Sequence, residues 1–96
     1  MNPNTVFKFR LYVAGDTPNS AQAIANLRAL CREHLADQHE IEIMDVFGEP
    51  KRALADGIFM TPTLVKLAPL PVRKIIGTLS QAGSVLHALG LERVTA

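Results

Sequence analysis

Large apolar and charged side chains alternate along Val6-Phe7-Lys8-Phe9-Arg10-Leu11 before the run closes on Tyr12-Val13. A period of two places successive side chains on opposite faces of a β-strand, and Ala14-Gly15 ends it. Asp16-Thr17-Pro18-Asn19 reads as a helix start. Thr17 is a candidate N-cap, and Pro18 suits the first helical position, where its missing N–H costs nothing. Ile24, Leu27, Cys31 and Leu35 recur at helical spacing with Arg28, Arg32 and Glu33 off the stripe, which predicts a helix over about 18–35. Alternation returns in Glu40-Ile41-Glu42-Ile43-Met44-Asp45-Val46 and predicts a second strand, its glutamates on a wet face opposite the isoleucines. Two strands joined by a long helix make a βαβ unit, with a right-handed crossover expected. Gly48-Glu49-Pro50 then opens a short helix through Ala53 and Leu54, with Gly57 as its C-cap.

The second half admits two parses. In the first, Thr63-Leu64-Val65-Lys66-Leu67 is a strand broken by Pro69-Leu70-Pro71, and Val72 to Gly77 is another. Ser80 then caps a last helix with Ala82, Val85, Leu86 and Leu89 on one face. The resulting order, βαβαββα, is that of a thioredoxin-like α/β domain. In the second, Val72, Ile75, Ile76 and Leu79 form a helical stripe behind Pro71, and Val85 to Leu89 is a short buried strand.

Composition narrows the class without naming an activity. Ninety-six residues, 48% of them hydrophobic and 20% charged, fit one globular domain, with residues 1–5 and 92–96 as flexible ends. The net charge of +1 argues against a nucleic-acid binder that works through bulk charge. No apolar run approaches the ~20 residues that span a bilayer, and no signal-peptide plan opens the chain, so a cytoplasmic location is expected. The charge is unevenly placed. No carboxylate side chain occurs from Gly57 to Leu91, whereas Lys66, Arg73 and Lys74 do. These three are either solvated surface charges or a contact for an acidic partner.

Candidate chemistry is sparse. One cysteine excludes an internal disulfide and a CxxC pair. In thioredoxin-like enzymes the reactive thiols lie between the first strand and first helix, but Gly15-Asp16-Thr17-Pro18-Asn19-Ser20 has none. Cys31 lies deep in the helix and reads as a small core residue. His34, His39 and His87 have no partner at metal-ligand spacing, and no cofactor motif or catalytic residue stands out. Thr61-Pro62-Thr63 sits where the thioredoxin-like fold keeps a cis-proline, although X-Pro bonds are cis in only about 5–6% of cases generally.

The runs Leu11-Tyr12-Val13-Ala14-Gly15-Asp16-Thr17-Pro18-Asn19-Ser20, Asp45-Val46, Thr61-Pro62-Thr63-Leu64 and Pro69-Leu70-Pro71-Val72-Arg73-Lys74-Ile75-Ile76-Gly77 closely resemble the KaiB circadian-clock family, from about Phe7 to Leu91. The resemblance implies a non-catalytic protein that binds the N-terminal ATPase ring of a KaiC-type partner, with a KaiA-like protein or a clock histidine kinase as further partners. It also implies two folds. The free form is expected to be a tetramer or dimer of βαββααβ order, and the partner-bound form a thioredoxin-like monomer.

The half refolded in the family is the half with two parses. On this reading Lys66, Arg73 and Lys74 contact the partner, and Pro62, Pro69, Pro71, Gly77 and Ala88 belong to the switch. Prolyl isomerisation would add slow steps, and Ala88 would favour the helical parse. Thr78, Ala88, Gly90 and the ending Leu91-Glu92-Arg93-Val94-Thr95-Ala96 depart from many cyanobacterial clock members, which suggests a member outside the core oscillator. The alternatives are a thioredoxin-like redox or glutathione-binding protein, and a detached sensor domain of a clock histidine kinase.

Overall fold

The computed structural model describes residues 5–91; the terminal segments expected to be flexible fall almost wholly outside the described residues. Within it the chain runs β1 (Phe7–Val13), α1 (Pro18–His34), β2 (His39–Asp45), α2 (Pro50–Ala55), β3 (Thr63–Ala68), β4 (Arg73–Ile76) and α3 (Ala82–Ala88). This is the first parse, so residues 73–76 form a strand and residues 82–88 a helix. The sheet order is β2-β1-β3-β4, with β1 and β2 parallel and the other two pairings antiparallel.

Strand β1 sits inside the sheet, and its alternation serves two cores. Phe7, Phe9, Leu11 and Val13 pack with Ala23, Leu27, Leu30 and Cys31 of α1 and with Leu64, Leu79, Val85 and Leu89. On the other face Tyr12 joins Met44, Ala53, Ile58 and Val65. Helices α1 and α3 therefore cover one side and α2 the other. Each fully buried Leu or Phe of these cores contributes roughly 1.5–3 kcal/mol.

Two caps differ from expectation. Thr17 holds the N-cap position of α1, but its side chain makes no capping bond. Its hydroxyl donates to Ser20 Oγ at 2.7 Å, and Ser20 Oγ accepts the Ala14 N–H at 3.0 Å. The buried Ser20 thus fastens the turn from β1 into α1. At α3 the N-cap is Gln81 rather than Ser80, and the Ser80 Oγ accepts the Thr78 hydroxyl at 3.2 Å. Gly57 follows α2 with φ of +72°, the left-handed conformation that suits glycine after a helix end.

Candidate functional site

The polar centre of the molecule lies where β1, β2, α2 and β4 meet. Burial of β1 in the sheet leaves Tyr12 with 0% exposure, and its hydroxyl donates to the Asp56 carboxylate just past α2. Arg10, two residues earlier on the same face, donates Nη1 to Asp56 Oδ2 at 3.2 Å and Nε to Glu42 of β2. Arg52 of α2 stands 3.8 Å from the same Glu42 carboxylate. Glu42 is thus held by two arginines, whereas the sequence marks it only as a residue of the wet face. Glu40 keeps that character, 4.0 Å from an exposed Lys8.

Each carboxylate is tuned by its donors. The Tyr12 hydroxyl foremost, with Arg10 adding to it, holds Asp56 below the usual aspartate range. The Arg10 hydrogen bond does the same for Glu42. Tyr12 is pushed up, mainly by burial and then by its bond to Asp56, so its proton stays on the phenol. Such a cluster has donors and acceptors satisfied and no activated nucleophile. Its physical role is to join strands.

The three basic residues marked in the sequence do not form one surface. Lys66 is 5% exposed, because β3 is an inner strand with both faces covered. Its ammonium approaches Leu89 O at 3.5 Å and stands 5.9 Å from the Phe7 ring centroid, and burial lowers its pKa. The expectation of Lys66 as a surface charge is corrected: the amine meets the C-terminal end of α3, where cations are favoured. Arg73 and Lys74 are exposed on the outer strand β4. Lys74 Nζ donates to Asp56 O at 2.6 Å, and a Cβ on Gly57 would come within 3.1 Å of that nitrogen.

The five switch residues spread along the second half. Pro62 is buried before β3, Pro69 and Pro71 lie in the β3–β4 connection, Gly77 follows β4 with φ of +118°, and Ala88 is the last residue of α3. The Thr61-Pro62, Ala68-Pro69 and Leu70-Pro71 bonds are cis.

At the end of the sheet where thioredoxin-like enzymes carry thiols, Ala14, Val46, Phe47, Ile58, Phe59, Met60 and Thr61 line a cleft of about 240 Å³. Phe47, Phe59 and Met60 are 73%, 83% and 60% exposed there. Sequence reasoning missed this apolar rim, since its members come from two separate loops. Cys31 lies elsewhere, at 0% exposure in the first core, and burial pushes its thiol up to about 11. A thiol so placed is inert. Among the described residues no three His, Cys, Asp or Glu side chains gather as a metal site, and no helix is long and apolar enough to cross a membrane.

Comparison with known proteins bears on this frame. The family model described as the KaiB domain matches residues 10–91. The circadian clock protein KaiB3 of Synechocystis is 47% identical over 85 residues, covering 88% of this chain and 81% of that protein. The circadian clock oscillator protein KaiB of Synechococcus elongatus is 42% identical over 91 residues, covering 95% and 89%. Among solved structures, the N-terminal domain of Synechococcus elongatus SasA superposes with a TM-score of 0.73 at 16% identity, covering 96% of this chain and 90% of that one. Mitochondrial thioredoxin 3 of Saccharomyces cerevisiae gives 0.71 at 17% identity, covering 93% and 82%. The first pair speaks to family, and the second to a thioredoxin-like fold.

Proposed function

The chain belongs to the KaiB family, and we propose that it is a non-catalytic clock or regulatory protein that binds the N-terminal ATPase ring of a KaiC-type partner. The higher identity to KaiB3 than to the oscillator protein fits a member outside the core oscillator. The observation that carries the reading is a family match across nearly the whole chain, on a thioredoxin-like frame whose reactive turn holds no thiol. The redox alternative would have to use Cys31, which is sealed in the core.

The proposal extends to a cytoplasmic protein that is a tetramer or dimer when free and exchanges folds through residues after about 50. Pro62, Pro69, Pro71, Gly77 and Ala88 belong to that exchange. A KaiA-like protein or a histidine kinase completes the set of partners. A detached sensor domain would instead stay monomeric and thioredoxin-like when free, so sizing of the free protein separates the two.

Arg73 and Lys74 carry the contact to the ring. Charge reversal at both is expected to weaken capture of the protein by an immobilised KaiC-type N-terminal ring more than reversal at Arg28 and Arg32. The latter pair lines a cleft between α1 and β2, with Ala36, Asp37, His39 and Ile41. Exposed charges act chiefly on association rate, so the difference should shrink as salt rises. Equal, small losses from the two double variants would remove Arg73 and Lys74 from the contact. No capture of the unaltered protein would remove the ring itself.

A further inference from the structure

Strand β4 is an outer strand of the sheet, paired with β3 on one side. An outer strand carries a row of backbone N–H and C=O groups turned away from its neighbour, ready to pair with another chain. The β3–β4 register sets which side chains flank that row. Lys74 lies opposite Val65 of the α2-side core, and the two line a cleft of about 170 Å³ with Arg10, Asp56, Leu67 and Val72. Arg73 lies opposite Lys66, whose amine stands by Phe7 on the α1 side. Two consecutive cations therefore flank one edge, one above the sheet and one below it. Val72 and Ile76 bound them as exposed apolar residues, at 48% and 61%.

This arrangement selects its occupant. A second copy pairing edge to edge would bring Arg73 and Lys74 against their own counterparts, and like charges across a strand pair are destabilising. Among the described residues neither Arg73 nor Lys74 forms a salt bridge, and the one bond of Lys74, to the Asp56 backbone oxygen, leaves its ammonium two further donors. We propose that the outer edge of β4 takes up an extended segment of a partner protein as a fifth strand. That segment carries two consecutive carboxylates flanked by apolar residues. Alternation along the added strand sends one carboxylate to the Arg73 face and the other to the Lys74 face. One apolar neighbour covers the exposed Val72 on the Lys74 face, and the other covers the half-buried Ile75 on the Arg73 face. Pro71 before the strand and Gly77 after it, with φ of +118°, confine the pairing to about five residues. The inference deepens the functional reading by giving Arg73 and Lys74 a mode of contact. It rests on that reading only for which protein carries the segment.

The test uses a blocked hexapeptide with a central valine-aspartate-glutamate-valine, titrated into the isotope-labelled full chain without any ATPase ring. Its failure therefore leaves ring binding standing. Amide shifts are expected at residues 72–76. Methylating the nitrogens of alternate central amides, so that they cannot donate, should weaken binding about tenfold or more. Replacing both acids by lysine should abolish it. Arg73→Glu with Lys74→Glu should reverse the preference toward the dilysine peptide, and both positions are exposed enough to change without loss of fold. Shifts centred elsewhere, no binding, or equal affinity for the methylated peptide would each overturn strand addition.

Discussion

The Tyr12 hydroxyl and the Asp56 carboxylate are hydrogen-bonded across 44 residues of sequence, and the bond joins β1 to the end of α2. Through its own backbone oxygen, Asp56 also receives Lys74 of β4. One residue thus ties the half of the chain with a single parse to the half with two.

Tyr12→Phe keeps the ring in its buried place and removes the donor. Hydrogen bonds to charged groups contribute about 1.5–3 kcal/mol, and Arg10 remains to hold the carboxylate, so a loss of about 1.5 kcal/mol is expected. Urea unfolding should show a lower midpoint with an unchanged slope. An unmoved midpoint would mean that the bond adds nothing.

Asp56 and Glu42 both bind protons less readily in the folded chain than in the unfolded one, because Tyr12 and Arg10 stabilise their charged forms. Their contribution is therefore complete above the ordinary carboxylate range of about pH 4 and is lost as pH falls through their depressed values. The melting temperature should drop on acidification from pH 5 to about 2.5. Asp56→Asn should lower the neutral-pH value and flatten the acid limb. Parallel profiles for the two proteins would assign acid sensitivity to other groups.

Cys31 should resist modification. Burial raises its thiol to about 11, which makes its thiolate fraction at neutral pH about 100-fold smaller than that of an exposed cysteine. Reaction with an aromatic disulfide reagent should be slower by at least that factor and should accelerate on unfolding in urea. Rapid reaction of the native protein would reveal an opening of α1 from the sheet.

The first half was legible because its alternation and its helical stripe each have one apolar face, and the strands and helix fall within one residue of their expected ends. Lys66 was misplaced for a reason that belongs to β3. Thr63-Leu64-Val65-Lys66 is buried at every position, so alternation carries no sign of which face is wet. Arg73 and Lys74 could be read as surface charges, since β4 has one free edge. The Tyr12–Asp56–Arg10–Glu42 cluster was illegible, because it needs contacts between residues 32 to 46 apart that no local pattern encodes.

Ala88 ends α3 and is exposed. Ala88→Gly costs the helix up to about 1 kcal/mol, or about fivefold in population. If the chain exchanges folds as proposed, amide NMR of the dilute protein should show slow two-state exchange after about residue 50, with the thioredoxin-like peaks weakened by the substitution. A single set of peaks, unmoved by it, would identify a protein of one fold.

The chain has one tyrosine and no tryptophan, so Tyr12 is its sole strongly ultraviolet-emitting side chain. A phenol bonded to a carboxylate is quenched, and that carboxylate sits at the joint between the two halves. The molecule therefore carries its own optical reporter, without a label. Any rearrangement that draws Asp56 away from β1 should brighten emission near 300 nm, and any that leaves the joint closed should keep it dark.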